Sequence, residues 1–120
     1  MLVVPVRFLG QDVECLVDTG AAYTALSADL VALLGLPIDL HRTATIATAH
    51  DTMRTVPRIM LPEVRIGGMQ VRKVDMLVLT FPPALRLEGV VGMNVLRHFR
   101  MTLESDTGTL ILRRLGSGRT

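Results

Sequence analysis

The sequence predicts a mainly β domain with one or two short helices. Val4, Val6 and Phe8 alternate with Pro5, Arg7 and Leu9, the period-two pattern of a strand with one apolar face. From Thr43 to Leu79 the chain is rich in β-branched residues and period-two stretches, interrupted by the tight-turn pair Gly67-Gly68. Helical signals are confined to a segment opening at Ser27 and a turn or two after Gly92.

Taken in order, the first strand carries Pro5, which suggests an edge position because proline has no amide to donate to a neighbour. Gly10-Gln11-Asp12 marks a turn, Val13 to Val17 a returning strand, and Tyr23 to Leu26 a short extended piece. Ser27 is a good N-cap, and Asp29 suits the positive end of the helix dipole. Leu30, Val31, Leu33 and Leu34 then form an apolar helical face, and Gly35 and Pro37 end the helix. A hairpin is expected between Val64-Arg65-Ile66 and Val71, and a loop from Phe81-Pro82-Pro83. Val90-Val91-Gly92 is a short apolar strand, with helical turns from Met93 to Phe99. A last hairpin joins Met101–Glu104 to Thr109–Leu112 around Ser105 to Gly108, and residues 116–120 read as a flexible tail. Residues 1–115 make one domain, with no internal repeat.

At 120 residues the chain can bury a single core, and with 3% aromatic residues that core is aliphatic. No apolar run approaches the ~20 residues of a membrane span. The N-terminus lacks a basic region followed by an apolar stretch and a cleavage site, so the cytoplasm is the expected location; a trimmed or excised domain would read the same way. Cys15 is the single cysteine and reads as a buried packing residue rather than a reactive thiol. His41, His50 and His98 have no ligand-like spacing, so no metal and no cofactor are expected. A net charge of +2 and little aromatic surface argue against nucleic acid; Arg97, Arg100, Arg113 and Arg114 read as a solvated charged face.

The chemistry concentrates at Leu16-Val17-Asp18-Thr19-Gly20-Ala21. An apolar strand runs straight into a carboxylate, and small and apolar residues follow it. Most Asp-Gly turns have polar flanks, since turns lie at the surface. A partly desolvated carboxylate is costly unless paired, hydrogen-bonded or protonated, and that cost points to a function. Asp-Thr-Gly alone is weak evidence: it recurs at Asp106-Thr107-Gly108, where polar Glu104-Ser105 and an alternating Thr109–Leu112 strand indicate a hairpin turn.

The segment Asp18-Thr19-Gly20-Ala21, with Thr24 and Leu26 beyond it, resembles the Asp-Thr-Gly-Ala-x-x-Thr-x-Leu pattern of retropepsin-like aspartic proteases. Val90-Val91-Gly92-Met93-Asn94-Val95-Leu96 is similar to the family's second signature, two aliphatics, Gly, a variable residue, Asn and an aliphatic pair. The likeness spans residues 3 to 112, strongest at these two motifs.

The resemblance implies a single-lobe acid-protease β-barrel that completes its active site as a homodimer, each subunit giving Asp18. Two facing carboxyls share a proton, one activating water while the other donates to the peptide carbonyl. It also implies that Thr19 locks the two loops across the axis and that Gly20 keeps the backbone open to substrate. Leu16, Ala21, Ala22 and Val90 match pocket-lining positions for an extended peptide or protein substrate. Glu88 reads as a solvated loop charge, with a subsite for a basic residue as the alternative.

Three departures stand out. Retroviral enzymes pair an acidic residue, where this chain has Ala22, with an Arg, where it has Met93; losing both partners can be nearly neutral. The flap region Ile46 to Val56 lacks a Gly-rich tip near Ala49-His50-Asp51-Thr52. Met1 falls near the family's second strand, so an N-terminal dimerisation arm is expected to be missing or removed. The function expected is an aspartic endopeptidase. The main alternative is a non-catalytic dimeric protein–protein module of the same fold, and the third is a nucleic-acid or ligand-binding β-barrel.

Overall fold

Turn chemistry sets the two hairpins on which the structure is built. In the computed structural model, which describes residues 2–47 and 52–116, Leu9 and Gly10 both adopt positive φ (49° and 80°). A two-residue type I′ turn demands that pair of dihedrals, and it joins β1 (Val3–Phe8) to β2 (Gln11–Val17). Gly67 and Gly68, at φ 58° and 77°, do the same between β5 (Met53–Ile66) and β6 (Met69–Leu79). The first turn is therefore one residue earlier than the expected Gly10-Gln11-Asp12, and β2 starts at Gln11 rather than Val13.

The remaining strands are β3 (Thr24–Ser27), β4 (Thr43–Ala47), β7 (Gly89–Val91), β8 (Phe99–Glu104) and β9 (Thr109–Arg114). β1, β2, β7, β3, β6 and β5 are bonded in that order, and β5 returns to β1 from Val6↔Ile66 to Phe8↔Val64. The result is a closed six-stranded barrel, which leaves no free edge along the paired stretches. Pro5 sits just before the β1–β5 pairing begins, where β1 has only β2 beside it and a missing amide costs nothing. β4 extends outward on the first part of β5, from Thr43↔Pro57 to Ala47↔Met53, at the place expected for the flap. The expected flap tip at Ala49-His50-Asp51 lies outside the described residues, as does the tail beyond Gly116.

Inward residues of the barrel form an aliphatic core around Phe8, Leu26, Leu61, Met76 and Leu96, each fully buried. Cys15 belongs to it, and burial, with Glu14 nearby, pushes its thiol up to about 12. A thiol held there is protonated at neutral pH and unreactive, as its reading as a packing residue requires.

Two short helices pack against β3 and β6. α1 (Ala28–Leu33) is capped by Ser27, whose hydroxyl accepts from Leu30 N–H at 3.1 Å. It closes with Gly35 at φ 71°, where Gly35 N–H bonds Ala32 C=O and Leu36 N–H bonds Val31 C=O. Leu30 and Val31 are buried, but Leu33 is 82% exposed, against its assignment to the apolar face. Positions 30, 31 and 34 share one side of a 3.6-residue helix, and position 33 is turned about 100° off it. α2 (Met93–Leu96) is shorter than the expected Met93–Phe99. Phe99 joins β8 instead, buried and with the Arg114 guanidinium 5.4 Å from its ring centroid. β8 and β9 form a separate two-stranded sheet. Among the described residues no helix is long and apolar enough to cross a membrane.

Candidate active site

Asp18 is the first residue beyond β2, and the barrel fixes it from behind. β2 runs parallel to β7, with Cys15↔Gly89, Leu16↔Val90 and Val17↔Val91. Asp18 N–H donates to Val91 C=O at 3.1 Å, so the second motif holds the first through the backbone. The loop then turns on itself: Ala21 N–H bonds Asp18 C=O at 3.2 Å, and Gly20 N–H donates to Asp18 Oδ1 at 2.9 Å. The carboxylate is half-buried, whereas Thr19 and Gly20 are exposed. No ion pair engages Asp18 among the described residues.

A second set of bonds ties the loop to α2. Met93 N–H reaches Ala21 C=O at 2.8 Å, and Asn94 N–H reaches Ala22 C=O at 3.1 Å. Each bond includes one of the two positions, Ala22 and Met93, that differ from the retroviral pattern, and neither bond joins the two to each other. Gly92 makes the close approach possible: a Cβ there would stand 2.4 Å from Tyr23 O, 2.6 Å from Tyr23 C and 2.9 Å from Ala21 O.

Thr24 completes the lock as the one fully buried polar side chain among the described residues. Its hydroxyl donates to Asn94 Oδ1 at 2.9 Å and accepts from Gly92 N–H at 3.1 Å. Thr24 N–H also bonds Asn94 Oδ1 at 2.8 Å, and Asn94 Nδ2 donates to Asp75 C=O at 2.6 Å. Thr24→Val keeps the volume but leaves Gly92 N–H buried without an acceptor. A loss of about 1–3 kcal/mol in urea unfolding is expected; an unchanged midpoint would show the hydroxyl to be idle.

Side chains facing away from the core form an apolar row beside this loop. Leu16 pairs with Val90, Val90 with Ala25, and Ala25 with Leu77, across β2, β7, β3 and β6. Alternation along a strand puts Leu16 on the same side as Asp18. Ala25 and Leu77 pack with Val56, and Ala44 and Ile46 of β4 lie against them, so the row runs beneath the β4–β5 arm. Of the expected pocket residues, Leu16 and Ala21 are half-buried, Ala22 is exposed and Val90 is buried. Ala25 and Leu77 escaped the sequence reading. Their only signal was alternation with the core residues Leu26 and Met76, which needs the strand register to interpret.

Glu88 is exposed and lies on the wall of a separate cleft of about 620 Å³, with Glu14, Ser27, Asp29, Phe81 and Arg86 among its other lining residues. Asp18 does not line that cleft. Asp106 is exposed in the β8–β9 turn, as expected, where Thr107 Oγ1 and Thr109 Oγ1 are 2.9 Å apart.

Comparison with known proteins bears on the family and the fold. The family model described as "gag-polyprotein putative aspartyl protease" matches residues 4–98. The chain belongs to that family. An uncharacterised protein of a Sinorhizobium species, from the cobV 5′ region, is 32% identical over 105 residues. Those residues are 87% of this chain and 43% of that relative's length. Among the solved structures that share the fold are these two. One is a retropepsin-like aspartic protease from Rickettsia conorii, with TM-score 0.63 and 22% identity over 92% of this chain and 78% of the other. The other is the retroviral protease-like domain of Ddi1 from Leishmania major, with TM-score 0.66 and 18% identity over 100% of this chain and 98% of the other. This member of the family is thus retropepsin-like in fold, and both of its motifs up to Leu96 fall inside the matched span.

Proposed function

We propose that this domain is an aspartic endopeptidase whose active site forms between two copies, each contributing Asp18. The observation that carries the reading is the placement of one half-buried carboxylate, fixed by the backbone of both motifs, at the end of an apolar row under a β arm. One carboxyl cannot act as base and acid in the same step. Two, brought together about a two-fold axis, share a proton and take the two roles. One carboxylate removes a proton from water, whose oxygen attacks the peptide carbonyl. The other carboxyl protonates the carbonyl oxygen, and a proton passes to the leaving amine as the C–N bond breaks.

Thr19 and Gly20, exposed beside Asp18, present the surface on which a second loop is to seat. A peptide lying extended along the row meets Leu16, Val90, Ala25 and Leu77, so aliphatic side chains next to the cut bond are the expected preference.

The test is cleavage of an unbiased peptide library by the wild type beside Asp18→Asn. Cleavage by the wild type is expected, with a fall of at least ~10⁴-fold in the near-isosteric variant, comparable to loss of an essential group elsewhere. Residual cleavage near the wild-type rate would reject Asp18. Peptide binding without any cleavage by the wild type would fit a non-catalytic interaction module. Asp106→Asn, at the hairpin turn, is expected to cut at the wild-type rate; a loss as deep as that of Asp18→Asn would mean that one chain carries both carboxyls.

A further inference from the structure

We infer that the gap in the barrel wall beside β5 is a binding site for an aliphatic carboxylate. β5 pairs with β4 through residues 53–57 and with β1 through residues 64–66, so among the described residues no strand lies beside residues 58–63 on that side. The segment from Leu36 to Arg42 runs past this opening, tied to it by Arg58 N–H donating to Arg42 C=O at 2.9 Å. Between them lies a groove of about 270 Å³, whose apolar walls include Leu36, Ile38, Met60 and Leu61. Ile38 and Met60 remain 41% and 44% exposed, so the groove opens to solvent along aliphatic surface.

Two guanidinium groups, Arg42 and Arg58, line the same groove. Neither takes part in an ion pair among the described residues, and Arg58 Nε is buried without a hydrogen-bond partner. The acid in the lining, Asp39, has its Oδ1 engaged by His41 N–H at 2.9 Å. Asp75, diagonal to Arg58 across β5–β6, is not within ion-pair distance of it either. A buried guanidinium nitrogen without an acceptor is costly, and a carboxylate relieves that cost through charge-assisted bonds. The groove is too small for a drug-sized molecule, since ligand pockets usually exceed ~300 Å³. It suits a short chain: a free fatty acid, or the C-terminal carboxylate of a peptide ending in Leu or Ile.

The site is separate from Asp18 and does not depend on the protease reading. It adjoins the point from which β4 and β5 extend together, so an occupant would brace the base of that arm.

Amide-shift titration of the full chain tests the assignment with four probes: hexanoate, hexanol, acetyl-Ala-Ala-Leu as the free acid, and the same peptide as its amide. The expected result is that at least one acid shifts amides of residues 36–42 and 58–61, with the matched uncharged probe about tenfold weaker. Binding by hexanoate alone identifies free acids as the source; binding by the peptide acid identifies chain termini. Arg58→Met and Arg42→Met are each expected to weaken the acid about tenfold. The comparison of acid with uncharged probe on the wild type stands even if a variant fails to fold. Equal binding of charged and uncharged probes, shifts scattered elsewhere, or none for either acid would overturn the assignment.

Discussion

Gly92→Ala is expected to unfold this domain or to cost it on the order of 3 kcal/mol or more, at the upper end of overpacking effects. The cause is steric and not conformational: Gly92 has φ −106° and ψ −173°, which any residue adopts. The added methyl would stand 2.4 Å from Tyr23 O and 2.9 Å from Ala21 O, and both are main-chain atoms that cannot rotate away. Making room means moving the strand-to-helix corner off the loop. That movement breaks the bonds from Met93 N–H to Ala21 C=O and from Gly92 N–H to Thr24 Oγ1. Such a loss is a large part of the ~5–15 kcal/mol that holds a typical domain. Urea unfolding followed by circular dichroism checks it. A midpoint within error of wild type would mean that the loop and α2 are less tightly joined than their hydrogen bonds indicate. The variant is also expected to lose any activity, because the corner holds Asp18 in place.

Much of this arrangement was legible in the sequence where local chemistry is decisive. Gly67-Gly68 forced a tight turn, Ser27 and Gly35 bounded a helix, and the two motifs marked the strand ends that meet at the site. What escaped depended on partners distant in the chain. Thr24 matches the first motif by its spacing, but its bonding role rests on Asn94 and Gly92, about seventy residues away. Leu33 looked like core because it is apolar, yet the helix is too short and turned too far for it to reach the barrel. The opening between β4 and β1 on β5 follows from how the barrel closes; Pro62, which has no amide to donate, is a local signal of it that the sequence reading did not use.

The second large effect concerns sharing of the site between subunits. If each active site needs Asp18 from two chains, an inactive chain poisons its partner. With wild type held constant and a ninefold excess of Asp18→Asn added, random exchange leaves about one wild-type chain in ten paired with another wild type. Peptidase activity is expected to fall to about a tenth, provided that mixed dimers are inactive. Asp18→Asn suits the purpose because it is near-isosteric and removes the repulsion between facing carboxylates, so it pairs at least as well as the wild type. Exchange itself is followed by native mass spectrometry of isotope-labelled chains, so that slow mixing is not mistaken for independence. A fall in activity that tracks the fraction of mixed dimers is the result expected of a shared pair of Asp18 carboxyls. Activity per wild-type chain that stays constant while mixed dimers accumulate would contradict it.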